Sequence, residues 1–200
     1  MISIKVFGVK ISIDFTFFAV FFLFMMFDFS GYGILGLYAC LIHETGHLAA
    51  MLMVGCRLNE ILFYCAGIKI TANERYKLSF LKEFFVLICG SMVNIVIFFV
   101  CYFCSDKLTL KMPVFAVINL LIGLFNLLPV NMFDGGKITE LVLSRFCLPD
   151  TAYFISRILS FIITASALLA SIFLYRLGIV NFTVVATLCY ASIVCFVAKR

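Results

Sequence analysis

Leu41-Ile42-His43-Glu44-Thr45-Gly46-His47-Leu48 is the stretch on which the reading of this chain turns. It holds both histidines of the protein, four residues apart, and the only carboxylate in an otherwise apolar run from Tyr32 to Val54. On a helix, residues four apart share a face, so both imidazoles can reach one metal ion. Glu44 sits about 100° round the helix from His43, given 3.6 residues per turn. It can therefore approach a water on the metal without ligating the metal itself. Zinc lowers the pKa of such a water to about 7, and a carboxylate can then take its proton as a carbonyl is attacked. The run is long enough to cross a bilayer, where each ionisable group costs roughly 2.5 to 3.5 kcal/mol on insertion scales. Three such groups within five residues call for a function rather than for packing.

Working outward, composition agrees with that setting. The chain is 65% hydrophobic and 12% charged, against roughly 45 to 50% and 25% in soluble domains. A soluble protein of 200 residues could not hide that much apolar surface, so an integral membrane protein is expected. Six apolar stretches qualify as spans: Ile13 to Phe29, Tyr32 to Val54, Phe84 to Cys104, Pro113 to Val130, Ala152 to Tyr175 and Ile179 to Ala198. The expected fold is an all-α polytopic membrane protein of about six transmembrane helices, forming one domain over residues 1–200.

Lys and Arg set the orientation, because cytoplasmic loops retain positive charge. With the N-terminus inside, only Lys107, Lys111 and Arg176 of the fifteen cations fall on the far side. A multi-pass protein of the cell membrane with both termini cytoplasmic follows. The net charge of +5 reflects this topology and contact with anionic lipid heads, and calls for no nucleic acid. Lys5 and Lys10 precede an apolar run as in a signal peptide, but no small-residue cleavage site follows, so the first helix is read as retained. The nine cysteines are scattered without a framework spacing, and the lone Cys101-x-x-Cys104 reads as one packed helix face.

Between the spans, Ile61-Leu62-Phe63-Tyr64 and Ile68-Lys69-Ile70-Thr71 are β-prone runs separated by Ala66-Gly67, which suggests a small hairpin after the second helix. An exposed edge there could pair with an unwound substrate segment. Residues 1–11 alternate apolar and polar and read as a short strand or an interfacial arm. In the third span, Gly90-Ser91 permits close helix approach and Asn94 suits an interhelical hydrogen bond, with a role near the metal as the alternative. The fourth span runs into Asn126-Leu127-Leu128-Pro129-Val130-Asn131-Met132-Phe133-Asp134-Gly135-Gly136, where Pro129 and the two glycines should unwind the chain. Unwound backbone at membrane depth is tolerated only against protein or a wet cavity. Asp134 is thus either a turn residue at the surface or an acid directed inward, and two histidines leave a catalytic zinc short of its usual three ligands. Lys137 to Cys147 has the spacing of a surface-lying amphipathic helix, Asp150 that of a helix cap, and the last two spans carry almost no polar chemistry.

With His43-Glu44-x-x-His47 in the second span and Asn126-x-x-Pro129-x-x-x-x-Asp134-Gly135 after the fourth, the chain resembles the site-2 protease family of intramembrane zinc metalloproteases. Gly90-x-x-x-Asn94 matches the family's third, looser motif, and the compact layout is most similar to the stage IV sporulation protein FB group. The resemblance implies one Zn2+ per chain held by His43, His47 and Asp134, with Glu44 activating water. It implies cleavage of a membrane-associated or transmembrane substrate near the cytosolic face, in the sporulation branch an inactive sigma-factor precursor. Asn126, and more weakly Asn94, are candidates for holding substrate or the oxyanion. A membrane-embedded inhibitor or regulator is a candidate partner. Ser91 stands where the family often has proline, and neither a PDZ domain in the loops nor the CBS domain that sporulation relatives carry after the last helix is expected.

Two other functions compete. A catalytically silent metal-binding scaffold has no need of the acid at Glu44. A metal transporter would string several acidic or histidine sites across the bilayer, whereas one cluster is present.

Overall fold

The computed structural model describes residues 2–6, 9–28, 31–56, 58–64, 67–72, 78–104, 112–178 and 189. In chain order these form β1 (Ile2–Val6), β2 (Val9–Ile13), α1 (Phe15–Phe27), α2 (Tyr32–Met53), β3 (Leu58–Tyr64), β4 (Gly67–Ala72), α3 (Phe80–Phe103), α4 (Met112–Asn126), α5 (Asp134–Leu143) and α6 (Pro149–Arg176). The chain divides into two compact units, Met1–Leu124 and Phe125–Arg200.

In the first unit the expected hairpin is present as the antiparallel pair β3·β4, but it is half of a larger element. The N-terminal residues fold into a second hairpin, β1·β2, and β2 runs parallel to β3 to close a four-stranded sheet in the order β1-β2-β3-β4. The register pairs Ile2 with Ile13, Ile4 with Ile11, Ile11 with Ile61 and Ile13 with Phe63. Strand period two therefore collects these apolar residues on one side, and the Phe63 ring meets Phe17 of α1 edge-on at 5.6 Å. On the other side Ser12 Oγ donates to Glu60 Oε1 at 2.7 Å, and Lys10 Nζ reaches the same oxygen at 3.0 Å. The fold is thus helical with a sheet larger than the hairpin that the sequence suggests.

This sheet explains why the first apolar stretch yields a short helix. Asp14 N–H still donates to Phe63 O at 2.8 Å, in line with the sheet, so α1 begins only at Phe15 and has 13 residues. At 1.5 Å per residue it is about 20 Å long, short of the roughly 30 Å hydrocarbon core. Among the described residues two helices are long and apolar enough to cross a membrane, α3 with 24 residues and α6 with 28; α4 is a shorter apolar helix of 15. The expected sixth span, Ile179 to Ala198, lies outside the described residues except for Cys189.

The helix that carries the histidines is fixed at both ends. At its start Asp28 Oδ2 accepts the backbone N–H groups of Gly33 at 2.9 Å and Ile34 at 3.2 Å, and Gly31 takes φ 73° to turn into the helix. Asp28 is therefore a capping group supplying first-turn donors with a partner. At its end Gly55, at φ 84°, donates to Leu52 O and Cys56 donates to Met51 O, the paired bonds of a Schellman motif. Met51 and Cys56 pack with Ala50 and Val86 in a small buried cluster, which ties α2 to α3.

In the second unit α6 opens with Pro149 at its first position, after Leu148 as the N-cap. Asp150 is not the cap that the sequence suggests. It lies inside the first turn, where its charge favours the positive end of the helix dipole. The amphipathic helix expected from Lys137 begins three residues earlier, at Asp134.

Candidate metal centre

His43 and His47 lie on the buried face of α2, 5% and 7% exposed. Their Nε2 atoms converge to 3.1 Å, with ring centroids 4.8 Å apart and planes at 80°. Two nitrogens bound to one tetrahedral zinc at 2.0–2.1 Å would stand about 3.3 Å apart, so the pair is already close to bidentate spacing. The same separation suits a hydrogen bond between imidazoles, and in either case the second nitrogen of His47 sets what its Nε2 offers. His47 Nδ1 is 2.8 Å from Val86 O on α3. A carbonyl oxygen only accepts, so Nδ1 carries the hydrogen and Nε2 presents its lone pair. That is how ligating histidines are commonly oriented. Glu44 follows His43 directly on the same helix and is half-buried.

What lets His47 lie so close to α3 is the absence of two side chains. A Cβ at Gly90 would strike His47 Nε2 and would stand 2.7 Å from its Cε1 and 2.8 Å from its Cδ2. At Gly46 it would stand 2.8 Å from Cys89 O and 2.9 Å from the Gly90 Cα. The close approach expected from Gly90-Ser91 is therefore made, and its beneficiary is the imidazole. Asn94, one turn further along α3, is fully buried and donates through Nδ2 to Ala39 O of α2 at 3.3 Å. Helix packing thus accounts for its amide nitrogen.

The second unit holds the acid. Asp134 is 6% exposed and is the first residue of α5, where a carboxylate is favoured by the helix dipole. Lys137 Nζ meets its Oδ1 at 3.0 Å. The chain is unwound from residue 127 to residue 133, as Pro129 suggests, but the two glycines serve a different end from the one expected. Both lie in the first turn of α5, and their role is proximity. A Cβ at Gly135 would collide with Leu127 O and Leu128 O, and one at Gly136 with Val130 O. The loop folds directly over the start of the helix that follows it. Asn126, the last residue of α4, is half-buried.

Three residues that the sequence reading leaves without a role hold this loop. Asn131 N–H donates to Ser160 Oγ at 2.9 Å, and Asn131 Oδ1 lies 2.8 Å from Ser156 Oγ and 3.0 Å from Ser160 Oγ. Both serines are fully buried on α6, which is therefore not devoid of polar chemistry. The signal was present as hydroxyls at 156, 160 and 164, one helical face at four-residue intervals.

Comparison with known proteins gives a likeness of family first. Residues 107–170, which include Asn126, Pro129 and Asp134, match the model of Peptidase family M50. Its fold is that of a site-2 protease. The structure of the Site-2 Protease from Methanocaldococcus jannaschii superposes with a TM-score of 0.67 at 22% identity, covering 100% of this chain and 96% of that one. The more particular likeness is to Stage IV sporulation protein FB of Bacillus subtilis (strain 168). The two are 29% identical over 108 residues, which is 52% of this chain and 38% of that protein. The chain thus matches less than half the length of this relative.

Proposed function

We propose that this chain is an intramembrane zinc metalloprotease that hydrolyses a peptide bond in a membrane-associated or transmembrane substrate. The observation that carries the reading is the buried His43–His47 pair, with Nε2 atoms 3.1 Å apart and the His47 tautomer set by Val86 O. Asp134 is the third ligand in this reading, supported by its place in the M50 match and by its burial. Bound zinc would supply a Lewis acid that acidifies water and polarises the scissile carbonyl. Glu44 takes the proton from the attacking water and returns it to the leaving amine, a task for a positioned carboxylate beside the ligands. Asn126 and Asn94 are candidates for contacts to substrate or oxyanion, and β4, an edge strand among the described residues, for pairing with unwound substrate backbone.

The whole of residues 1–200 acts as one membrane domain of about six spans with both termini in the cytoplasm. The bond cut lies near the cytosolic face. By the resemblance to the sporulation branch that the motifs carry, the substrate class is a membrane-associated precursor, such as an inactive sigma factor. A membrane-embedded regulator would fit an enzyme of this kind.

The test is direct. Protein purified in detergent is assayed for zinc and for cleavage of a pro-sigma substrate, wild type beside Glu44→Gln. The variant should keep zinc and lose cleavage by about 10²- to 10⁴-fold. Undiminished cleavage would remove Glu44 as the base. A wild type that binds zinc but cleaves nothing would favour the silent scaffold.

A further inference from the structure

We propose that Ser156 and Ser160 of α6 are positioning residues that clamp the unwound 127–133 loop through Asn131 and so fix Asp134 as a metal ligand. This rests on the protease reading above. The loop needs an external hold. Its own backbone bonds are short-range, Val130 N–H to Leu128 O at 2.7 Å and Phe133 N–H to Val130 O at 2.8 Å, with no ladder to a neighbouring strand. Segments of this kind open at the lowest free energies in a fold. A ligand, by contrast, must be held within about 0.5 Å of its working position.

The two hydroxyls supply that hold on both sides of Asp134. Upstream, Ser160 Oγ accepts from Asn131 N–H, approaches Pro129 O at 3.4 Å, and shares Asn131 Oδ1 with Ser156. Downstream, Ser156 Oγ approaches Gly136 O at 3.4 Å. Both serines are fully buried, and Asn131 is half-buried. Truncation would leave Asn131 N–H and Oδ1 without these partners, which costs more than the bond alone. Ser160 Oγ also bonds Ser156 O of its own helix at 2.9 Å, so its tie to the loop lies in accepting from Asn131 N–H. Thr164 Oγ1 bonds Ser160 O and Phe161 O, and Ser171 Oγ bonds Leu168 O, all within their own helix. That is ordinary local back-bonding, and it makes Thr164→Ala a control for loss of a buried hydroxyl.

The experiment uses the full chain in detergent. Wild type, Thr164→Ala, Asn131→Ala and Ser156→Ala/Ser160→Ala are compared for zinc affinity by chelator competition, for the visible spectrum of the Co2+-substituted protein, and for thermal midpoint. The proposal expects a 10- to 100-fold loss of zinc affinity and an altered Co2+ spectrum in the double variant and in Asn131→Ala, but not in Thr164→Ala. Combining Ser160→Ala with Asn131→Ala should cost little beyond either alone, because both break one clamp. Wild-type zinc affinity in the double variant, or additive losses in the combination, would overturn it. Should the double variant not fold, Asn131→Ala decides, since it leaves α6 intact. A wild type that binds no zinc would instead sink the protease reading.

Discussion

Adding one methyl group at Gly90 tests the histidine geometry more sharply than removing a ligand does. The new Cβ would lie 2.7 Å and 2.8 Å from two ring carbons of His47. Optimal carbon contacts lie near 3.5 to 4.0 Å, so the ring must retreat by about 0.7 to 1.3 Å. The 2.8 Å bond from His47 Nδ1 to Val86 O cannot survive a shift of that size in most directions. Losing it costs about 0.5 to 1.5 kcal/mol, and overpacking a further 1 to 3 kcal/mol. Outer-shell losses of this sort typically lower metal affinity 10- to 100-fold, or about 1.4 to 2.8 kcal/mol. Gly90→Ala should therefore lose zinc at least tenfold more readily than wild type in chelator competition. Gly46→Ala wedges the same helices apart, since its Cβ meets Cys89 O, the Gly90 Cα and Val93 Cγ2, contacts on α3 that are backbone and aliphatic. It should destabilise the protein while sparing zinc affinity. Wild-type affinity in Gly90→Ala, or equal losses in the two variants, would refute the reasoning.

Other outcomes follow from the same contacts. Asp28→Ala should lower stability by about 0.5 to 2 kcal/mol through loss of the α2 cap, and Asp28→Asn should recover most of it; equal thermal midpoints for all three proteins would remove the cap. Asn94→Ala should cost about 0.6 kcal/mol or somewhat more, the scale of an interhelical bond, and leave zinc content unchanged. Lost cleavage at unchanged stability would instead assign Asn94 to the reaction. Stripping zinc should lower the thermal midpoint and restoring it should raise it, by about 2.7 kcal/mol of stability at a hundredfold excess over the dissociation constant. A midpoint indifferent to zinc would speak against binding to the folded state.

Much of the site was legible because helix geometry is local. The four-residue interval from His43 to His47 fixes a shared face whatever the rest of the chain does, and the structure brings their Nε2 atoms together. The unwound stretch after α4 was readable from Pro129 for the same reason. What escaped depends on partners distant in sequence. The parallel pairing of β2 with β3 joins residues near 11 and 61, and neither strand announces the other. Gly135 and Gly136 read as sources of backbone freedom, yet they are needed because Leu127, Leu128 and Val130 carbonyls lie where a Cβ would be. Ser156 and Ser160 lie in a span read as carrying almost no polar chemistry, since a serine in an apolar helix usually satisfies itself on its own carbonyls. Their bonds to Asn131 depend on a loop folded from 25 to 29 residues away.

Zinc-edge X-ray absorption on the purified wild-type protein, beside Asp134→Ala, tests the central claim most directly. A nine-cysteine chain could hold zinc by sulfur, and sulfur is separable because it binds at about 2.3 Å, while nitrogen and oxygen bind near 2.0 to 2.2 Å. The account predicts one zinc per chain with two imidazoles, oxygen donors and no sulfur, and a loss of zinc in the variant. A zinc–sulfur shell, or an unchanged spectrum and zinc content in Asp134→Ala, would contradict it.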